Sequence, residues 1–174
     1  MRKILLVIDM QNDFIDGALG TPEAADIVER VAEEIGKYPA GNIIATRDTH
    51  GENYLDTQEG RNLPVPHCIK GTRGWELHPR IAAALNGAAV IDKPAFASTE
   101  LAHRLARMAR EDELDVTLVG LCTDICVVSN ALLVKAALPE TPVRVAAECC
   151  AGTTPEGHRA ALETMKMCQI QIRF

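Results

Sequence analysis

The sequence has few aromatic residues: one tryptophan, two tyrosines and three phenylalanines in 174 residues. Proteins that bind single-stranded nucleic acid stack the bases on aromatic side chains, and this chain has few to offer. No cluster of lysine and arginine stands out either, and the net charge is −6. A basic surface is the electrostatic signature of nucleic-acid binding. We therefore expect no nucleic acid among the partners of this protein.

The N-terminal apolar run is too short to target or cross a membrane. It extends from Ile4 to Ile8 and is ended by Asp9, whereas a transmembrane helix needs about 20 apolar residues and a signal peptide about 7–15. A buried strand explains the run better. Without an export signal, we expect a cytoplasmic protein without a membrane partner, whose six cysteines are reduced thiols.

Short apolar runs rich in β-branched residues alternate along the chain with helical patterns, which predicts an α/β fold. Six runs are predicted as strands: Lys3–Ile8, Asn42–Thr46, Ala88–Ile91, Val116–Val119, Val143–Ala146 and Ile170–Ile172. The helical patterns are Pro22–Ile35, a segment opened by Ser98, Val127–Leu133 and a segment opened by Thr154. This rhythm predicts a doubly wound parallel sheet with helices on both faces. The length is that of one domain, here residues 1–174.

Polar residues end four of the predicted strands. They are Asp9, Asp48 with His50, Lys93, and the turn from Cys122 to Cys126. Ligands of open parallel sheets bind at the carboxyl ends of the strands, so these side chains are expected on one rim. The segment from Gly51 to Trp75, which contains His67, has little periodicity and many glycines and prolines. A loop of this length in a compact domain is usually functional.

Cys126 is the candidate nucleophile, because it follows a strand and is predicted to lie in the first turn of a helix. The helix dipole stabilises a thiolate there by roughly 0.3–1 kcal/mol, whereas lowering a thiol pKa by two units takes about 2.7 kcal/mol. A cation is therefore needed, and Lys93 is the candidate. Asp9 is the candidate base if burial raises its pKa. The remaining cysteines are predicted to serve packing: Cys68, Cys149, Cys150, Cys168 and the side chain of Cys122.

Six blocks of the sequence resemble the isochorismatase-like cysteine hydrolases, the superfamily that includes the nicotinamidases. They are VIDMQNDFIDGAL, RDTH, PHCIKGTRGWELHP, IDKPAFAST, GLCTDICV and AGTTPEGHRAALETM. The blocks stand in the order found in that family and cover nearly the whole chain. The resemblance implies a three-layer α/β/α domain around a parallel six-stranded sheet. It also implies a homo-oligomer, a dimer or a tetramer.

The resemblance implies a cysteine amidohydrolase that cleaves a small carboxamide, like a nicotinamidase, through a thioester. Asp9 corresponds to the base, Lys93 to the lysine of the catalytic triad and Cys126 to the nucleophile. It also implies a non-proline cis peptide at Leu121–Cys122 and an oxyanion hole formed by the backbone N–H groups of Cys122 and Cys126.

Asp48, His50 and His67 match the metal ligands of nicotinamidases, which implies a divalent metal such as zinc, iron or manganese. No organic cofactor is implied. Tyr54 stands where many nicotinamidases have a further histidine. Substrate contacts are expected from three aromatic residues, Phe14, Phe96 and Tyr54. Pro64 stands where a tryptophan often precedes the PHC motif, so a pyridine ring would lose one stacking face.

Other functions stay open at the level of sequence. The first is a family hydrolase that acts without metal on a carbamoyl compound or another substrate that is not nicotinamide. The second is a non-enzymatic signalling module of the phospho-acceptor type, with Asp9, Asp48 and Lys93 at strand ends. A third is a relative without activity that acts by assembly. A dinucleotide-binding enzyme ranks low, because no Gly-x-Gly-x-x-Gly follows the first strand.

Overall fold

A six-stranded parallel sheet forms the centre of the molecule. The computed structural model describes residues 1–174. The strands are β1 Arg2–Ile8, β2 Ile43–Asp48, β3 Ala89–Lys93, β4 Leu114–Leu121, β5 Val143–Ala151 and β6 Gln171–Arg173. Their order in the sheet is β3-β2-β1-β4-β5-β6, and every neighbouring pair is parallel. All six predicted strands are confirmed. Strands β4 and β5 are longer than expected, because their pairing continues to Leu121 and Ala151.

Helices cover both faces of the sheet, which confirms the predicted three-layer architecture. They are α1 Asn12–Ile15, α2 Pro22–Asp26, α3 Val28–Ile35, α4 Gln58–Asn62, α5 Pro79–Leu85, α6 Thr99–Met108, α7 Val128–Ala137 and α8 Pro155–Met167. Alternate side chains of β1 point to opposite faces. Ile4, Leu6 and Ile8 pack with α6, α7 and α8, whereas Leu5 and Val7 pack with α1, α2, α3 and α5. None of the helices combines the length and the apolar character that crossing a membrane requires.

The helix starts follow the capping residues that the sequence indicates. The side chains of Thr21, Ser98 and Thr154 accept hydrogen bonds from backbone N–H groups of the first turns of α2, α6 and α8. Each such cap stabilises a helix by about 1 kcal/mol. The single helix predicted for Pro22–Ile35 is wrong in one respect. The helix is interrupted at Ile27 and forms α2 and α3, since apolar periodicity does not report such a break.

Gly120 allows the end of β4 to approach the end of β1 closely. Its φ is +116°, and a Cβ atom at this position would overlap the carbonyl oxygen of Ile8. A side chain is therefore excluded by both the backbone conformation and the lack of space. Asp9 follows Ile8 directly, and the turn that contains Cys126 follows β4. The glycine thus brings the two chain segments together at one edge of the sheet.

Candidate active site

The carboxyl ends of β1 to β4 bring the predicted catalytic residues to one edge of the sheet. Asp48 and Lys93 are register partners in the pairing of β2 with β3. Asp9 follows the last residue of β1, and the cysteine turn follows β4. This is the rim on which parallel sheets place their ligands. Residues far apart in the sequence therefore face one another at a single site.

The ammonium group of Lys93 lies at the centre of the site. Its Nζ is 2.7 Å from Asp9 Oδ2 and 3.3 Å from Asp48 Oδ1. It donates hydrogen bonds to the carbonyl oxygen of Ala95 at 3.0 Å and to Cys126 Sγ at 3.4 Å. The side chain is fully buried. Burial alone lowers a lysine pKa, but the charges of Asp9, the Cys126 thiolate and Asp48 outweigh it and raise the pKa of Lys93.

Asp9 is held by the strand that neighbours its own. Thr46 Oγ1 donates a hydrogen bond to Asp9 Oδ1 at 2.7 Å. The backbone N–H of Asp9 donates to the Thr46 carbonyl oxygen at 3.2 Å. Its φ of +47° lies in the left-handed region, which is uncommon for residues other than glycine. Burial raises the pKa of the Asp9 carboxyl more than the charge of Lys93 lowers it. A carboxylate of raised pKa is suited to accept a proton.

Cys126 lies in a π-helical turn, Thr123–Val127, that precedes α7. The sequence predicted instead the first turn of the helix and a lowered thiol pKa. The predicted lowering of the thiol pKa was wrong. Burial and the nearby Asp9 charge raise the pKa of Cys126 well above its ordinary value, although Lys93 lowers it. A thiol whose pKa is raised in this way needs a base to accept its proton. Asp9, which contacts the same Lys93 ammonium as the sulfur does, is the candidate for this base.

The peptide bond between Leu121 and Cys122 is cis, as the family resemblance implied. The carbonyl oxygen of Cys122 accepts hydrogen bonds from the N–H groups of Ile125 and Val127, both at 3.1 Å. These bonds fix the turn that carries the two proposed oxyanion donors, the N–H groups of Cys122 and Cys126. Burial raises the pKa of the Cys122 thiol to about 12. Its side chain is therefore a poor nucleophile at neutral pH.

Three of the four other cysteines are buried, in agreement with the packing role predicted for them. Cys68, Cys149 and Cys150 are buried in the core. Cys168 is exposed at the C-terminal end of α8, so its predicted packing role was wrong. The helical pattern ends there, and the sequence does not show which side of the last turn faces solvent.

Four side chains beside Lys93 could hold a metal ion. They are Asp48, His50, Glu59 and His67, whose candidate ligand atoms all lie within 4.8 Å of one another. His50 Nε2 is 2.9 Å from Asp48 Oδ2 and 3.6 Å from Glu59 Oε1. Burial alone would raise the pKa of Asp48, but its hydrogen bond with His50, the nearby His67 imidazole and the charge of Lys93 outweigh that effect and lower the pKa. Its carboxylate is thus available as a ligand.

Glu59 was missed by the sequence reasoning. It lies in the first turn of α4, a short helix that begins after the cap Thr57 within the segment predicted as an irregular loop. The cap Thr57, followed by one polar residue and then an acid, was the available signal. Gly60 follows it, and a Cβ atom at Gly60 would overlap the backbone of Tyr54. The close approach of α4 to Tyr54 brings Glu59 to the histidines.

The two histidines are oriented by contacts on their far sides. His67 Nδ1 is 2.8 Å from the carbonyl oxygen of Val65, which leaves Nε2 facing Asp48 and Glu59. The ring of Tyr54 contacts both imidazoles, with centroids 4.8 Å from His50 and 5.0 Å from His67. Such supporting contacts are typical of metal-binding histidines.

Tyr54 is placed differently from its prediction as a substrate contact. It is 1% exposed, and its hydroxyl donates to the carbonyl oxygen of Leu63 at 2.9 Å. It lies behind the histidines and does not line the cavity. A tyrosine between glycine- and proline-rich stretches gives no sign of which side of the loop it faces. We therefore assign it a supporting role.

A cavity of about 430 Å³ connects Cys126 with three of the four candidate metal ligands, Asp48, Glu59 and His67. Its volume lies in the range of small-molecule sites. Phe14 and Phe96, the other two predicted substrate contacts, both line it. The Phe14 ring lies 5.6 Å from that of His67, and Phe96 is 46% exposed near the mouth. The remaining lining residues are Leu19, Asp48, Gln58, Glu59, Asn62, Leu63, His67, Pro94, Ala95, Cys122, Ile125 and Cys126.

Comparison with known proteins agrees with this geometry. The family model described as the isochorismatase domain matches residues 3–173. The chain belongs to the isochorismatase family. An uncharacterised isochorismatase family protein of Bacillus subtilis is 32% identical over 93% of each chain. The nicotinamidase/pyrazinamidase of Mycobacterium tuberculosis is 28% identical, over 98% of this chain and 97% of its own.

A solved structure of the family extends the match to three dimensions. The pyrazinamidase of Pyrococcus horikoshii, solved in complex with zinc, superimposes with a TM-score of 0.81 and 34% identity over the whole of both chains. The predicted family and its nicotinamidase-related branch are therefore confirmed. The same matches favour the hydrolase over the signalling module and the dinucleotide-binding enzyme.

Gln11 is a second residue that the sequence reasoning missed in this isochorismatase-family chain. Its Nε2 donates to the carbonyl oxygens of Asp48 and Trp75, both at 2.8 Å. Its Oε1 accepts from the N–H of Asp48 at 2.7 Å. The amide therefore continues the pairing of β1 with β2 past the end of β1 and ties the long loop to it. Gln11 lies three residues after the end of β1, and its burial is visible only in the folded structure.

Proposed function

We propose that this isochorismatase-family protein is an amidohydrolase of the nicotinamidase type that cleaves a small carboxamide through a thioester. The observation that carries this proposal is the position of the buried Lys93 ammonium. It lies 2.7 Å from the Asp9 carboxylate and 3.4 Å from the Cys126 sulfur, beside a cavity that reaches the metal-binding side chains. A base and a nucleophile that contact the same cation meet the requirements of nucleophilic catalysis.

The first half of the reaction forms the thioester. Asp9 takes the proton from Cys126 Sγ as the sulfur attacks the carboxamide carbon, and Lys93 stabilises the charge that develops on the sulfur. The N–H groups of Cys122 and Cys126 donate hydrogen bonds to the oxyanion of the tetrahedral intermediate. Asp9 then returns the proton to the leaving nitrogen. The carbon–nitrogen bond breaks, and ammonia departs.

The second half of the reaction restores the enzyme. Asp9, again unprotonated, takes a proton from a water molecule that attacks the thioester carbon. The same two N–H groups stabilise the second oxyanion. The carbon–sulfur bond breaks, the sulfur leaves as a thiolate beside Lys93, and the proton on Asp9 returns to it. The sum is carboxamide plus water giving carboxylic acid plus ammonia.

The four clustered side chains fit a divalent metal, and we propose that they bind one. Two imidazole nitrogens and two carboxylates suit zinc, iron or manganese. The buried Asp48 and the orientation of His67 by Val65 favour ligand atoms that point at a common centre. When bound, the metal supplies a Lewis acid that orients the substrate, for example through a ring nitrogen. Because the solved P. horikoshii relative is in complex with zinc, zinc is the first metal to test.

Replacing Glu59 with glutamine is expected to weaken metal binding at least about tenfold, because one anionic oxygen is lost from the donor set. The measurement is competition with a chelating dye, together with metal content by mass spectrometry. Glu52→Gln is the matched control, since Glu52 is an exposed acid of the same loop outside the cluster. Equal affinities for the two variants would remove Glu59 from the proposed metal site.

The proposed activity predicts ammonia release from nicotinamide and pyrazinamide. We expect both to be hydrolysed at least about tenfold faster than benzamide, which has no ring nitrogen to orient, in protein loaded with zinc. The measurement is ammonia release coupled to glutamate dehydrogenase, with and without chelation. Absence of ammonia release from every carboxamide, with and without zinc, would contradict the proposal.

A second candidate substrate class is favoured by one departure in the sequence. Pro64 stands before the PHC motif, and it does not line the cavity. Position 64 therefore adds no aromatic face for a flat ring to stack on, and the phenyl rings of the lining are those of Phe14 and Phe96. The same screen includes small carbamoyl compounds. Faster hydrolysis of these without metal would favour this second class over nicotinamide.

Two expectations from the family resemblance stay predictions. They are a homo-oligomeric state, dimer or tetramer, and a cytoplasmic location.

A further inference from the structure

Asn130 is a buried polar side chain that the proposed reaction does not use. It lies on α7, one turn after Cys126, and is 1% exposed. Its Nδ2 donates to the carbonyl oxygen of Cys126 at 2.8 Å and to that of Phe96 at 3.1 Å. Its Oδ1 accepts from the backbone N–H of Ser98 at 2.9 Å. An asparagine side chain can make four hydrogen bonds, so three of them are used here.

These bonds join two segments that are distant in sequence. One is the turn of the nucleophile, and the other is the connection between β3, which ends at Lys93, and α6, which begins at Thr99. The connection has no regular structure, and its first residue, Pro94, has no N–H to donate. Asn130 binds it from both sides of Ala97, through the carbonyl of Phe96 and the N–H of Ser98.

The connection in turn holds the catalytic ammonium. Lys93 Nζ donates to the carbonyl oxygen of Ala95 at 3.0 Å, next to the residue that Asn130 binds. The same Nζ lies 3.4 Å from Cys126 Sγ. The contacts therefore close a ring from Cys126 through Asn130, Phe96, Ala95 and Lys93 back to the sulfur. The side chain of Phe96 lines the cavity, so the same bonds also place part of its wall.

Helix α7 does not need this amide for its own stability. Asparagine is a poor residue for the interior of a helix, and burying an amide is unfavourable unless its hydrogen bonds are made. A buried apolar residue would fill the position at lower cost. The bonds that Asn130 makes outside its helix therefore account for its presence.

We infer that Asn130 is a positioning residue of the hydrolysis, which holds the Lys93 segment in register with the Cys126 turn. The inference rests on the proposed function, because the reaction it serves is the thioester pathway above. Asn130 touches none of the reacting atoms. It acts through the distance between the ammonium group and the sulfur, and small misplacements of catalytic groups cost large factors in rate.

The test compares Asn130→Ser and Asn130→Ala with Val134→Ala. A serine hydroxyl in a helix reaches the carbonyl four residues earlier, so Asn130→Ser keeps the bond to Cys126 and loses both bonds to the connection. Val134 is buried one turn further along α7, and its truncation destabilises the helix packing without touching the connection. We expect kcat for nicotinamide to fall about 10–100-fold in both Asn130 variants, with a smaller change in KM. Val134→Ala should keep kcat within about twofold of the parent, as expected of a residue outside the site.

Hydrogen exchange supplies a readout that does not depend on turnover. The N–H of Ser98 should exchange at least about tenfold faster in both Asn130 variants, and at the parent rate in Val134→Ala. Parental kcat in Asn130→Ser, or an equal loss of kcat in Val134→Ala, would overturn the inference. Failure of both Asn130 variants to fold would overturn it too, since Asn130 would then serve the fold. Parent protein inactive on every carboxamide would refute the proposed function, and Ser98 exchange would still decide whether Asn130 holds the connection.

Discussion

Replacing Cys126 with alanine is expected to abolish hydrolysis and to leave the fold intact. The sulfur forms the bond to the substrate carbon, and alanine offers no nucleophile in its place. Loss of a covalent nucleophile costs on the order of 10⁴–10⁶ in kcat. The structural cost is small, because one buried sulfur is removed and the backbone of the turn is kept by the bonds to the Cys122 carbonyl. Ammonia release and thermal unfolding measure the two effects separately.

Cys122→Ala is the matched control for this substitution. Its thiol has a pKa raised to about 12 by burial, and its proposed contribution is its backbone N–H, which alanine retains. We expect a loss of activity below about tenfold, since only packing at the cavity wall changes. Retained turnover in Cys126→Ala, or an equal loss in Cys122→Ala, would show that the sulfur of residue 126 is not the nucleophile.

The position of the candidate catalytic residues could be predicted because it follows from the topology. Asp9, Lys93 and the cysteine turn each end a strand, and parallel strands end on the same edge of their sheet. The apolar runs define those strands, and the capping residues define the helix starts, from local sequence alone. Family motifs then suggest roles for residues that the topology already places at one edge of the sheet. Where the signal is local or periodic, the sequence is therefore sufficient.

The supporting residues could not be predicted, because their contacts join distant segments. Gln11 bonds to Trp75, Asn130 to Phe96, and Glu59 reaches the histidines through the packing of α4 on Tyr54. None of these pairs has a fixed spacing or a periodicity. Each depends on how the irregular segments fold over the edge of the sheet. Such segments carry the polar contacts that a sequence pattern does not encode.

The ionisation of Cys126 shows a different limit. From the sequence, a lysine and a helix start favoured a thiolate. In the structure the thiol is buried beside the Asp9 carboxylate, and both raise its pKa. Burial is a property of the folded molecule, and here it outweighs the charge of Lys93. A raised thiol pKa makes a base necessary, and Asp9 is the residue that we propose for it.

Replacing Lys93 with methionine is expected to abolish turnover and to cost more stability than any other change at the site. Methionine has a similar length but no charge, so it leaves the buried Asp9 carboxylate without its cation. Breaking a buried ion pair from one side destabilises a protein by about 3–5 kcal/mol. Asp48 loses the same partner, but the imidazoles of His50 and His67 still contact it. The measurement is chemical denaturation at a fixed metal concentration.

The double variant Asp9→Asn with Lys93→Met separates the charge effect from the loss of packing. Asparagine still accepts the hydrogen bond from Thr46 through Oδ1, and no unpaired charge is left at position 9. We expect the double variant to regain about 1–3 kcal/mol over Lys93→Met while staying inactive. If the effects of the two substitutions on the free energy of unfolding were additive, Lys93 would stabilise the fold through its packing. The ion pair between Lys93 and Asp9 would then contribute no stability. Regained stability would show that the charge of Lys93 is needed to balance that of Asp9. Continued inactivity would show that turnover needs the two groups themselves.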